Sequence, residues 1–360
     1  MTQPLDLKAR PAYDRTKKRL EMTNAESAHR PPEINLSALT DCLITARDLA
    51  KITIPKRPRL LGHWLCEGDL GYVFAPRGVG KTWFAMALPA AISQEKSLGR
   101  WEAGEDKTRV LYIDGEMPLE LTQYRSKGLH LERGDLTYLH HDKIFDLLGT
   151  SINIGDLTHR EAITQLLVHQ SFKCLILDNL SSLASGVEEN RGEQYEPIGH
   201  WLLELRRRKI TVIVIHHAGR NTEVMRGHSK REDACSWIIQ LRDAKSESDP
   251  GAKFVSHFAK PSRNTGESLP DLLWHFTTDA VGEVSIECTL AQTSEFDAFV
   301  QHVRDGVESV TEIAELMGKP KGTISKWGGK AVKERLLSKK GGKLFPISSH
   351  IHRNEDDDDD

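Results

Sequence analysis

Ala75-Pro76-Arg77-Gly78-Val79-Gly80-Lys81-Thr82 decides the fold. The octet stands between the apolar run Gly71-Tyr72-Val73-Phe74 and a stretch of helical character from Thr82 to Ser93, so it reads as a strand-to-helix corner. It fits the pattern GxxxxGK[ST], with Ala75 in place of the first glycine. Small residues let the backbone wrap phosphates with its N–H groups pointing inward, and the N-terminus of the following helix adds partial positive charge. Gly78 and Gly80 carry the tight geometry, and an alanine at position 75 is tolerable in an ordinary backbone region. Lys81 is placed to reach the β/γ-phosphates and Thr82 to bind magnesium through its hydroxyl, which makes ATP and Mg²⁺ the expected cofactors.

Three more short apolar runs follow: Val110 to Asp114, Cys174 to Asp178 and Thr211 to Ile215. They are nearly continuous, as strands buried on both faces must be. Helical stretches separate them at Leu119 to Gly128, Thr158 to Gln170 and Gln194 to Arg208. The expectation is an α/β fold, a mostly parallel sheet flanked by helices, with its ligand at the carboxyl ends of the strands.

Two carboxylates sit where such a site needs them. Asp178 closes a buried apolar strand and suits a magnesium-holding role through water. Glu116, in Ile113-Asp114-Gly115-Glu116-Met117, lies just past another strand end and is the candidate base for the attacking water, with Asp114 as the alternative. An acid here also fits a plain capping role at the next helix.

The chain has 360 residues, 38% of them hydrophobic, enough for a sizeable core and about two domains. No apolar run is long enough to span a bilayer and the first 30 residues hold no apolar leader segment, so a cytoplasmic protein is expected. The five cysteines are scattered without metal-ligand spacing, which predicts reduced, mostly buried thiols. The net charge of -3 hides a basic stretch, since Lys319 to Lys343 carries nine Lys/Arg against one Glu, while Glu355 to Asp360 is wholly acidic. Composition divides the chain into a flexible arm (1–40), the α/β domain (41–290), a small helical domain (294–350) and an acidic tail (351–360).

Taken together, the octet, the Ile113-Asp114-Gly115-Glu116 motif and Asp178 resemble the RecA superfamily, more closely the plasmid RepA-like and DnaB-like hexameric helicases, over roughly Leu61 to Glu287. The resemblance implies that Glu116 is the catalytic base and that Arg125, nine residues on, contacts the nucleotide. In Val214-Ile215-His216-His217 it favours His217 over His216 as the sensor of the γ-phosphate. The basic segment Gly219 to Arg231, with Arg220, Arg226, Lys230 and Arg231, then corresponds to a channel loop gripping single-stranded nucleic acid, a task for which mobile positive charge is suited. Arg226-Gly227-His228-Ser229 also resembles a family motif that serves nucleotide or subunit contact. Lys260-Pro261-Ser262-Arg263-Asn264-Thr265-Gly266 resembles a hairpin that supplies a cation to the neighbouring subunit's ATP site; Arg263 is the first choice and Lys260 the second, because the spacing departs from the family's by one residue on each side of Arg263.

In the C-terminal stretch, Val310 to Gly318 reads as a helix and turn, Lys321 to Trp327 as a second helix, Ala331 to Ser338 as a third, and Gly341-Gly342 as the turn of a small wing. This resembles a helix-turn-helix, with Lys321, Thr323, Ser325 and Lys326 facing duplex DNA. The expected whole is an ATP-hydrolysing motor on single-stranded DNA, a ring hexamer of plasmid, phage or mobile-element type. The alternatives are a DNA-bound ATP switch of regulator or filament type, and a KaiC-like protein whose partner is another protein.

Overall fold

The computed structural model describes residues 35–188, 192–219, 222–227, 230–265, 269–291, 295–333 and 336–346. The chain divides into two compact units, residues 1–56 and 57–360. In the first, α1 (Leu36–Asp41) and α2 (Ala46–Leu49) each start at a polar cap. The Asn35 side chain accepts from the Ala38 N–H at 3.0 Å and the Thr45 hydroxyl from the Asp48 N–H at 3.1 Å, satisfying donors that a helix end leaves open. Neither helix buries a residue.

The second unit opens with the ribbon β1 (Arg59–Leu61) and β2 (Leu65–Cys66). Strands and helices then alternate: β3 (Leu70–Ala75), α3 (Lys81–Gln94), β4 (Val110–Asp114), α4 (Leu119–Gly128), β5 (Leu136–His140), α5 (His141–Leu148), α6 (Leu157–His169), β6 (Cys174–Asp178), α7 (Leu180–Leu183), α8 (Gly192–Arg207) and β7 (Thr211–His217). After α9 (Lys230–Asp233) come four strands in succession, β8 (Trp237–Asp243), β9 (Ala252–Lys260), β10 (Leu272–Thr278) and β11 (Val284–Leu290). All nine strands from β3 to β11 join one sheet in the order β11-β10-β9-β8-β3-β7-β6-β4-β5. Neighbours from β8 to β5 run parallel, and the β8-to-β11 side is antiparallel.

The expected mostly parallel, helix-flanked α/β sheet is the architecture observed. Its core strands are buried along their whole length because helices cover both faces, and each face carries its own apolar cluster. The face under α3 is rich in aromatic rings. Trp64 meets Trp101, Trp237 and Phe258 edge-on with ring centroids 5.0, 4.7 and 5.4 Å apart, and Phe84 of α3 packs on Trp274 at 5.6 Å. Such pairs stabilise by about 0.5–1.5 kcal/mol each beyond area burial. This packing requires a glycine in the central strand: a Cβ at Gly71 would lie 2.3 Å from the Trp237 indole.

At the C-terminus, α10 (Glu295–Arg304), α11 (Val310–Leu316) and α12 (Lys321–Lys333) enclose a small core of Phe299, Val303, Ile313, Ile324, Ala331 and Leu344. The hairpin β12 (Leu337–Lys340) and β13 (Lys343–Pro346) closes over it, turning at Gly341-Gly342, both at positive φ. Two helices expected over Lys321 to Trp327 and Ala331 to Ser338 are in fact one helix followed by a strand. Gly328-Gly329 does not break α12, because Gly328 lies against Leu344, where a Cβ would come within 3.3 Å of its methyl group. Cys66, Cys174 and Cys235 are buried, Cys288 is half-buried and Cys42 exposed, and none is disulfide-bonded. Among the described residues no helix is long and apolar enough to cross a membrane.

Substituting Gly71→Ala forces Trp237 out of its slot. The expected outcome is a loss of about 1–3 kcal/mol or more in urea unfolding, with Gly329→Ala, whose Cβ meets nothing, as the control.

Candidate active site

A cavity of about 700 Å³ opens at the carboxyl ends of the parallel strands. Ladder register gathers its polar groups: Ala75 of β3 pairs with His217 of β7, and Asp114 of β4 pairs with Asp178 of β6. Cross-strand bonds extend this order past the strand ends, from the Gly115 N–H to the Asp178 carbonyl at 2.8 Å and from the Ala218 N–H to the Ala75 carbonyl at 3.0 Å.

The loop from Ala75 to Thr82 has the cradle geometry its sequence predicts. Gly78 has φ 83° and Gly80 φ 115°, values a side chain rarely adopts, and a Cβ at Gly80 would also meet the Phe254 ring at 2.9 Å. Nothing lies within 4 Å of where a Gly78 Cβ would be, so that edge of the loop faces open space. Pro76 is half-buried, Val79 is buried beneath the loop and Arg77 is exposed at its rim. Lys81 starts α3 and bends back, its Nζ donating to the Ala75 carbonyl at 3.1 Å and the Pro76 carbonyl at 2.8 Å. Burial pulls its ammonium below the ordinary lysine value, with Asp178 and Glu116 opposing that shift.

Asp178 is 7% exposed and accepts from the Tyr112 hydroxyl at 2.5 Å. Burial pushes its carboxyl from 3.8 to about 7, the Tyr112 bond pulling the other way. Asp178 and Thr82 line the same cavity, and a carboxyl and a hydroxyl are the hard oxygen donors a divalent cation takes, so these two residues fit magnesium and would hold it. Glu116 also lines the cavity, its Oε2 accepting from the side-chain amide of Asn179, the residue after Asp178. Asn179 went unread in the sequence, where only its place after Asp178 marked it. Asp114, the alternative to Glu116, is 2% exposed and is fully engaged by neighbouring donors.

Arg125 and Trp83 form one wall, the guanidinium 4.8 Å over the indole, and burial lowers the Arg125 pKa. The opposite wall, Gly251, Ala252, Phe276 and Thr278, comes from the antiparallel side of the sheet, which no motif had marked. His217 lines the cavity. His216 is fully buried, its Nε2 donating to the Arg226 carbonyl at 2.8 Å.

Outside the cavity the expectations divide. Arg226 is exposed. Arg231, expected as a phosphate contact, is only 3% exposed: its guanidinium lies 3.9 Å over the Tyr195 ring and donates to the Arg226 carbonyl at 3.3 Å. It is an internal strut, which corrects the sequence reading. Arg220 and the side chain of Lys230 lie outside the described residues. Lys260 and Arg263 do not line the cavity; Lys260 donates to the Glu232 carbonyl and Arg263 to the Asp233 carbonyl at 2.7 Å. Lys321, Ser325 and Lys326 are exposed on α12, with Thr323 half-buried beside them.

The raised Asp178 pKa fixes the sign of a stability effect. A carboxyl whose folded pKa lies above its unfolded value contributes stability below about pH 4, and this is lost as pH climbs through about 7. Nucleotide-free Asp178→Asn should therefore melt above wild type at pH 8, the advantage closing as pH falls toward 4, while its magnesium-dependent nucleotide binding is lost. Equal melting temperatures at both pH values would refute the burial effect.

Residues 31–223, more than half of the chain, match the family model of an AAA domain. No curated protein sequence matches. Among solved structures, the flagellar accessory protein FlaH of Methanocaldococcus jannaschii is 13% identical with a TM-score of 0.42, and the KaiC-like protein PH0186 of Pyrococcus horikoshii OT3 is 19% identical with a TM-score of 0.44. Each similarity covers 61% of this chain and 90% of the other. With its phosphate cradle and paired carboxylates, the chain belongs to the AAA domain family and is a P-loop ATPase.

Proposed function

We propose that the protein is an ATP-driven motor on single-stranded DNA, a helicase of RepA-like and DnaB-like type that works as a hexameric ring. The observation that carries this reading is the wiring between the ATP site and the basic segment behind it. His217 faces the cavity, its carbonyl accepts from the Arg226 N–H at 3.1 Å, and the Arg226 carbonyl accepts from His216 and Arg231. A change at the γ-phosphate that moves His217 therefore moves a segment bearing Arg220, Arg226 and Lys230. Coupling of this kind turns hydrolysis into movement of a positively charged loop along a phosphate backbone.

In the proposed mechanism the Gly78–Lys81 turn binds the phosphates, and Thr82 and Asp178 would hold magnesium, which when bound would supply charge neutralisation on the phosphates. Asn179 orients the Glu116 carboxylate, and that carboxylate takes the proton of the attacking water. Arg125 is a nucleotide contact, held flat on Trp83. Lys260 and Arg263, outside their own cavity, fit a cation delivered to the neighbouring subunit, which makes turnover depend on assembly. The exposed lysines of α12 and of the hairpin at Lys339, Lys340 and Lys343 support duplex binding by the C-terminal unit, with Thr323 and Ser325 at the groove.

Wild type should displace a strand from a forked duplex with ATP, while Lys81→Ala and Glu116→Gln should not. ATPase stimulated by single strands without displacement would replace the helicase by an ATP switch, and no stimulation by any nucleic acid would point to a protein partner. For the trans contact, Arg263→Ala should lower kcat by about 10³-fold or more, and mixing it with equally inactive Glu116→Gln should restore turnover. A mixture that stays inactive would place the cation in cis.

A further inference from the structure

We infer that Thr122 and His140 are positioning residues for the hydrolytic glutamate, acting through Asp114 and gripping the Glu116 loop from the outer edge of the sheet. The inference rests on the reading of Glu116 as the base.

Asp114 ends β4 and turns its carboxylate back under the loop that follows. One oxygen accepts the N–H groups of Glu116 at 3.0 Å and Met117 at 2.9 Å, so the backbone at the base is hung on this side chain. The other oxygen accepts from the Thr122 hydroxyl at 3.1 Å, one turn into α4. That hydroxyl has a single proton and gives it to Asp114, so toward His140, whose Nε2 lies 3.1 Å away, it must accept. The His140 ring agrees: its Nδ1 accepts the Asp142 N–H at 3.2 Å, which leaves the proton of the neutral ring on Nε2. Donation thus runs one way, from His140 to Thr122 to Asp114, and ends on the two amides at the base. All three side chains are 3% exposed or less, where an unmade hydrogen bond is expensive.

The next two residues reach the same loop. The His141 Nε2 donates to the Met117 carbonyl at 3.0 Å, and an Asp142 oxygen accepts the Leu119 N–H at 2.9 Å. His140, His141 and Asp142, consecutive at the β5–α5 corner, therefore fasten residues 116 to 119 from one side. Asp114, His140 and His141 also bring ligand atoms within 4.8 Å of one another, the spacing of a cation site. Each is already committed, however: Asp114 accepts three donors, His140 accepts a backbone amide, and His141 donates to a carbonyl. The cluster is a bracket for the loop, and the quantity it sets is the position of the Glu116 carboxylate above the γ-phosphate. Misplacement of a reacting group by about 1 Å can cost about 10²-fold in rate.

The test uses the full chain, steady-state ATP hydrolysis and binding of a fluorescent ATP analogue. Thr122→Val removes the hydroxyl and keeps the shape. It should lower kcat tenfold or more with KM and analogue Kd within about twofold, and Thr122→Ser should restore the rate. Because Thr122 acts through Glu116, Thr122→Val added to Glu116→Gln should cost nothing beyond Glu116→Gln alone. A kcat within twofold of wild type, a Kd that rises as kcat falls, or independent losses in the double variant would each overturn the inference. If Thr122→Val does not fold, His140→Leu against His140→Gln, which keeps a donor near Nε2, gives the same comparison. Should Glu116→Gln itself hydrolyse ATP at the wild-type rate, the reading of Glu116 fails, a result separate from any obtained at Thr122.

Discussion

Parallel hydrogen-bond registry is the constraint on which the site depends. In β3 and β7 the last residues stand level at Ala75 and His217, in β4 and β6 at Asp114 and Asp178, and the two pairs are offset by two residues across the β6–β7 ladder, so the phosphate loop, His217, Asp178 and Asp114 all emerge at the carboxyl end of the sheet. None of these residues is close to another in sequence except within its own strand end. A slip of one residue in any pairing would turn a carboxylate from the rim into a helix-covered face, where it would meet only apolar side chains. Continuous burial of β4 and β6 prevents the slip, and the aromatic packing around Trp64 and Trp237 fixes β8 and β3 beneath it.

The rim is assembled at an electrostatic cost. Asp178 and Lys81 both lose solvation, and the lysine settles for backbone carbonyls while the acid keeps its proton up to about pH 7. Both groups are thus held in surroundings that disfavour their charged forms. A phosphate chain with its cation supplies what both lack.

The parts of this arrangement legible in the sequence are those with strong local signatures. The strands Val110 to Asp114 and Cys174 to Asp178 stood out to the residue because burial on both faces leaves no polar interruption. The octet at 75 to 82 was legible because its glycines answer to backbone torsion. The antiparallel strands β9 to β11 were not, since one face is wetter and their alternation is diluted by His257, His275 and Glu287. Arg231 misled for the converse reason: a cation in a basic run looks solvent-bound until the Tyr195 ring beneath it is known. Asn179, Thr122 and His140 have no signature at all. They matter through partners between 8 and 63 residues away, which only the fold brings near.

Trp83 adds an optical consequence. Of the seven tryptophans, Trp64, Trp101, Trp237 and Trp274 are sealed in the aromatic core and Trp201 is buried, while Trp327 belongs to the C-terminal cluster. Trp83 alone of them lines the cavity, one residue past Thr82 and under the Arg125 cation. The molecule thus carries a built-in chromophore in the wall of the cavity, set against a background of indoles that do not line it.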